Sequence, residues 1–278
     1  MKKMLKNQWF IVVGLLLLLP SPGLAAAKKA RKPAAQSQIR QPATAVPAAG
    51  SKEEKPAERK ESLQDKDASR SKKMPVYRPP LRGAPAGRVA GGTRGIGGKI
   101  PCLCTLVPEH VGLTVSRQPC MYYFLSRAAA LPLEFTLIEK EAVYPLVTVR
   151  LPAPQTPGIH AVCLADYGKR LKQDVQYKWF VALIPDEEHR AKDILAAGAI
   201  ELVSLPTDLG EKVRRADSVE AEHIYAESGI WYDALAAISA AIAQEPGNHE
   251  LVEQRVSLLS QVGLTTAASY DRQAGGGN

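Results

Sequence analysis

The spacing of apolar residues along the chain changes character three times. An apolar run from Trp9 to Leu19 is followed by a long stretch, residues 28–82, with few aliphatic side chains beyond alanine and Tyr77 as its single aromatic. From Pro101 to Leu205 short apolar runs alternate with turn residues. They predict seven strands: Cys102 to Val107, Met121 to Leu125, Leu133 to Ile138, Val143 to Leu151, Ile159 to Ala165, Val175 to Ile184 and Ala199 to Leu205. In the sixth, Val175, Tyr177, Trp179, Val181 and Leu183 share one face while Gln176 and Lys178 lie opposite, the period-two pattern of a strand with one side on a core. The turns at PEHVGLT, APQTPG and DYGKRLKQD complete the pattern of a two-sheet, immunoglobulin-like sandwich over residues 101–205. Asp186 to Ala197 is expected to insert a short helix before the last strand.

After Pro206 the period becomes helical. Leu209, Val213, Ala216, Val219 and Ile224 line one face of a first helix, Trp231 to Ala243 makes a second, and His249 to Val262 a third. Ser228-Gly229 and Pro246-Gly247-Asn248 separate them, and Gly263 ends the series. The helical domain thus covers residues 206–264, and 265–278 is expected to fray. The fold class is mainly β plus α: a seven-strand sandwich followed by a small three-helix segment.

Charge changes the reading of both ends. Lys2, Lys3 and Lys6 precede the apolar run, Pro20, Pro22 and Gly23 stop it, and Ala25-Ala26-Ala27 offers small residues for cleavage, so residues 1–27 are expected to be a secretory signal peptide. The run is about half the roughly 20 residues a membrane span needs, which favours cleavage over a retained anchor. The chain carries a formal charge of +8, but residues 28–82 hold 15 basic against 6 acidic residues, and residues 83–278 hold 18 against 22. The positive charge belongs to a low-complexity segment with too little apolar surface to fold, a disordered basic linker, which argues against nucleic acid as a partner. Anionic envelope polymers remain candidates for it.

Nucleotide chemistry fails on spacing. In the extended, Gly/Arg-rich lead-in of residues 83–100, Thr93 stands where a phosphate loop needs glycine and Ile100 where it needs a hydroxyl; Ile100 also replaces the third glycine after Gly95 and Gly97 of a dinucleotide fingerprint. Serine-nucleophile and HExxH patterns are missing, His249-Glu250 being followed by Leu251-Val252-Glu253. His110, His160, His189, His223 and His249 are scattered, and the pairs Glu187-Glu188 and Glu220-Glu222 fall in polar stretches expected to be solvated. No catalytic residue, metal ligand or cofactor is therefore assigned. The four cysteines, Cys102, Cys104, Cys120 and Cys163, suit disulfides in an oxidising compartment, with three connectivities open, against buried free thiols or a soft-metal site with His110.

Tyr225, Gly229, Trp231, Ala234, Leu235, Ala241, Pro246 and Asn248 fall where a tetratricopeptide unit has its aromatic, small, paired apolar and turn residues, so Tyr225 to Asn248 resembles one such unit. One unit buries too little to stand alone and must lean on the sandwich. Taken together, RGAPAGRVAGGTRG, LVPEHVGLTVSRQP, PGIHAVCL, YKWFVAL, YAESGIWYDALAAI and LLSQVGL resemble, in that order, a bacterial family of exported proteins known as domain-of-unknown-function family 928. The resemblance implies a fold and an exported location, periplasmic or extracellular, and carries over no catalytic residue.

The reading that follows is a non-enzymatic envelope protein that binds another envelope protein or an anionic polymer. Its expected partner surface lies near Tyr225, Trp231, Tyr232 and Asp233, with core packing as the competing role for those aromatics. The alternative is an envelope hydrolase or metal-handling protein whose site is assembled from dispersed residues.

Overall fold

The computed structural model describes residues 74–80, 88, 101–154 and 156–275. The expected signal peptide, most of the basic linker and all of the lead-in except Arg88 lie outside the described residues. The described chain is a mixed α/β protein: eight strands in two sheets and five helices.

The smaller sheet is antiparallel and is ordered β1 (Leu103–Thr105), β3 (Cys120–Leu125), β6 (Gly158–Cys163). The larger sheet runs β2 (Gly112–Thr114), β8 (Ile194–Leu202), β7 (Gln176–Leu183), β4 (Leu133–Glu139), β5 (Val147–Leu151), antiparallel except for the β2–β8 pair. As the alternation predicts, Tyr177, Trp179, Val181 and Leu183 of β7 are buried in the core with Phe135 and Leu137 of β4. The sheets approach closely where β1 crosses β8. There the Thr105 hydroxyl donates to the Ala197 carbonyl at 2.7 Å, and a Cβ on Gly198 would meet Val107 at 2.9 Å and the Trp179 indole nitrogen at 3.0 Å. Only glycine permits this approach.

Five helices follow: α1 (Thr207–Arg215), α2 (Ser218–Glu227), α3 (Trp231–Gln244), α4 (His249–Gln261) and α5 (Thr265–Gly275). Gly229, at φ +75°, makes the left-handed turn between α2 and α3. Asn248 caps α4 by accepting from the amides of Glu250 and Leu251.

Several expected boundaries are corrected. The helix expected over Asp186 to Ala197 is one 3-10 turn, Arg190–Lys192, and β8 begins at Ile194 instead of Ala199. Its alanines favour helix locally, but pairing with β7 from Leu183↔Ile194 to Gln176↔Glu201 offers a full ladder and a buried face, which outweighs propensity. The expected turn PEHVGLT contains the short strand β2, and Val143 does not start a strand: it and Tyr144 form an exposed hairpin tip, 83% and 82% accessible. The long first helix breaks at Asp217, whose carboxylate accepts from the Glu220 amide and starts α2. The tail expected to fray is helical through Gly275, because Ala267 and Ala268 are buried and Asp271 pairs bidentately with Arg255 at 2.6 and 2.7 Å. Finally, residues 74–80, assigned from composition to the linker, are docked on the helices.

Candidate functional site

Three consecutive residues at the start of α3 join the helices to both sheets. The Trp231 indole donates to the Leu106 carbonyl at 2.8 Å, just beyond β1. The Tyr232 hydroxyl accepts from the Trp179 indole at 2.7 Å and donates to the Ala199 carbonyl at 2.9 Å, engaging β7 and β8. The Asp233 carboxylate accepts from the Thr114 hydroxyl at 2.8 Å and the Val115 amide at 3.0 Å, engaging the end of β2. Burial pushes the Asp233 carboxyl up, and those donors pull the other way. Its place in the first turn, near the positive end of the helix dipole, also favours the charged form.

The expectation that these residues face a partner is therefore corrected. Trp231 and Tyr232 are buried, Asp233 is spent on β2, and Tyr225 is half-buried on α2, so an apolar helix start serves the interior instead of solvent. Burying those rings removes far more apolar surface from water than an exposed position would.

Against the far side of Trp231 lies Met74 to Pro80, an extended segment with Pro75 and Tyr77 buried and Met74, Val76, Arg78 and Pro79 exposed. Tyr77 is 7% accessible: its ring stacks on His110 with centroids 5.9 Å apart and meets Trp231 edge-on at 5.0 Å. His110 Nδ1 lies 2.9 Å from the Val111 carbonyl, which can only accept, so Nδ1 carries the proton. Nε2 is then free to accept from the Tyr77 hydroxyl at 3.2 Å. The backbone of the segment is held as well. The Gln261 side chain accepts from the Tyr77 amide and donates to the Pro75 carbonyl, both at 2.9 Å, and the Arg78 amide donates to the Ala226 carbonyl at 3.0 Å. Gly229 forms the floor, since a Cβ there would lie 2.7 Å from the Arg78 carbonyl oxygen and 3.2 Å from the Pro80 ring.

Arg88 closes the same joint, donating to the carbonyls of Val107 at 3.1 Å and Val262 at 3.0 Å. The sequence held a signal for this clasp in Tyr77, an isolated aromatic between Pro75 and Pro79-Pro80 in an otherwise apolar-poor run. Averaged composition over residues 28–82 conceals it.

The other candidates are dispersed. Cys120 and Cys163 stand opposite each other in the β3–β6 register and form a disulfide. Cys102 and Cys104 are free thiols, so no connectivity uses all four cysteines. Cys104 is in register with Phe124, Cys102 accepts from the Ser126 amide at 3.0 Å and donates its own amide to the Ser126 hydroxyl at 2.8 Å, and burial pushes the Cys104 thiol up to about 12. His110 is committed to Tyr77, His160 stacks on Tyr123, and His189 lies 2.7 Å from Asp186. Among the described residues no group of three potential metal ligands comes together.

Glu222, expected in a solvated stretch, is instead buried on α2. Its carboxylate has no hydrogen-bond partner among the described residues, His223 Nε2 lies 3.8 Å away, and burial pushes its pKa up to about 8.

Among solved structures, the chain is similar at 12% identity to vertebrate Astrotactin-2, described as a perforin-like membrane protein involved in neuronal development, with a TM-score of 0.24. That alignment covers 63% of this chain and 34% of the other, so the chain spans about a third of its length. A multi-domain immunophilin from Arabidopsis thaliana aligns at 9% identity with a TM-score of 0.17, over 72% of this chain and 100% of the other. Neither likeness bears on fold or function. No curated protein matches the chain. A family model described as Domain of Unknown Function (DUF928) matches residues 89–271, from just after Arg88 through β1 to β8 and into α5, and the chain belongs to that family.

Proposed function

We propose that this is an exported, non-enzymatic binding module of the bacterial cell envelope. In this reading an immunoglobulin-like pair of sheets carries a tetratricopeptide-like helical layer, and the α2–α3 turn with the end of α4 is a receptor for extended polypeptide. The observation that carries it is the docked segment. A receptor for extended peptide needs an aromatic pocket, donors and acceptors for the peptide backbone, and a floor without side chains, and the joint supplies each around Tyr77, Gln261 and Gly229. Ala226, Ala234 and Ala241 are buried along α2 and α3, as close helix packing in a tetratricopeptide unit requires. The basic run before the segment suits a second contact with anionic envelope polymers.

The test is in cells. With a photoreactive side chain at exposed position Glu227, beside the Ala226 acceptor, irradiation of the exported full-length chain is expected to give adducts with another envelope protein or polymer. Retention of the chain in the cytoplasm, or adducts confined to its own residues, would overturn the reading.

A further inference from the structure

The contacts that hold residues 74–80 are not needed to hold the walls they touch. Trp231 is anchored by the Leu106 carbonyl and His110 by the Val111 carbonyl. Gln261 Nε2 also donates to the Ser257 carbonyl at 3.2 Å, and the Gly229 amide closes the turn onto Ala226. Removing the segment would therefore leave a formed groove. The segment itself behaves as a ligand does. It is extended with alternate side chains inward, its three prolines restrict it before docking, and of its backbone donors the groove takes those of Tyr77 and Arg78. The Gln261 amide reads the backbone on both sides of Val76 without touching that side chain's identity, whereas the Tyr77 pocket takes an aromatic ring and gives its hydroxyl one partner in His110. Met74 and Val76 remain 46% and 47% accessible, so the chain's own segment leaves apolar surface in solvent.

We infer that this groove is a recognition site for an extended segment of a partner protein with a central tyrosine, a proline two residues before it, and a basic residue and prolines after it, and that residues 75–80 are a resident competitor which the partner displaces. The basic position follows from the resident segment itself, in which Arg78 is exposed between the buried Tyr77 and Pro79-Pro80. A covalently tethered competitor acts at an effective concentration on the order of millimolar, so it sets a threshold that only a well-matched or multivalent partner passes. This inference rests on the receptor reading above, but its test uses purified protein and does not depend on export or on finding the cellular partner.

The probe is a fluorescent peptide with the sequence of residues 74–81, titrated by anisotropy into the full chain and into its Tyr77→Ala variant. Saturable binding is expected to the variant, and binding roughly tenfold weaker or more to the unaltered chain, where the resident segment competes. Adding Gln261→Ala to the variant should weaken binding further by removing the contacts to the peptide backbone on both sides of the Val76 position. Absence of saturable binding to Tyr77→Ala at about 1 mM protein overturns the inference. So does loss of the variant's cooperative thermal transition, because the groove must stand without its occupant. In the unaltered chain, the Tyr77 and Arg78 amides should exchange with deuterium well before those of Trp179 and Val181; exchange only with global unfolding would make the segment core and also overturn it. If sedimentation shows dimers that Tyr77→Ala dissolves, the occupant is a second copy and the partner assignment falls.

Discussion

Two short pieces of chain meet at one joint and are held there in different ways. Trp231, Tyr232 and Asp233 begin a helix and commit three side chains to buried polar atoms of both sheets. Met74 to Pro80 commits the Tyr77 ring and the buried Pro75, and is otherwise held by its backbone at the protein surface. If the helix start left, the Trp179 indole and the Ala199 and Leu106 carbonyls would be stranded in the interior, each at a cost of about 1–3 kcal/mol. If the segment left, Gln261 and the Ala226 carbonyl would be exposed to water, which can satisfy them. Permanence at this joint follows from what is left unpaired, more than from how much aromatic surface is in contact.

The largest effect is expected at Trp231. Trp231→Ala should cost about 3–5 kcal/mol, seen as a fall of roughly 10 °C or more in Tm by calorimetry. A loss as small as that of a surface residue would mean that α3 is not the keystone. Next comes Tyr232→Phe, which keeps the ring but strands the Trp179 N–H and the Ala199 carbonyl; urea unfolding should show a loss of about 1–3 kcal/mol with an unchanged slope.

Glu222 sharpens the same rule on α2, the helix that supplies the Ala226 acceptor. Its folded pKa of about 8 lies above the usual carboxylate value of 4.5, so between those limits the native state holds a proton that the unfolded chain has lost. Stability contributed by the protonated form should therefore fall as pH rises through that window, by at most about 1.4 kcal/mol per pH unit, and level off above it. Glu222→Gln should flatten this dependence in Tm measured from pH 5 to 9; an unchanged profile would show that the carboxylate is not titrating there. The smallest effect is expected for Tyr77→Phe, about 0.5 kcal/mol, because water can replace the lost partner of His110. A cost equal to that of Tyr232→Phe would erase the distinction between the two pieces.

Much of the architecture was legible as periodicity. The buried face of β7 follows from alternation at Tyr177, Trp179, Val181 and Leu183, and the α2–α3 and α3–α4 breaks follow from Gly229 and from Pro246 to Asn248. Misreadings arose where local preference and long-range pairing disagree. Ile194 to Ala197 is alanine-rich and reads as the end of a helix, yet β7 offers it a ladder. Thr265 to Gly275 reads as a polar tail, yet Arg255 and the apolar wall of α4 await it. The site was harder still, because a tyrosine in position 77 and a histidine in position 110 carry no shared local pattern.

By itself the sequence determined the division into a basic, apolar-poor stretch, a strand-rich half and a helical half, because apolar periodicity and turn residues act over a few neighbours. It also carried the ordered motifs by which the chain's family membership is recognised. Only the tertiary structure decided which aromatics are core, that Cys120 and Cys163 bond while Cys102 and Cys104 stay free, and that a proline-flanked tyrosine from the basic stretch fills a groove on the helices. Those outcomes depend on which surfaces compete for the same side chain. Tyr77 and Gln261 are 184 positions apart, and no local preference encodes their meeting.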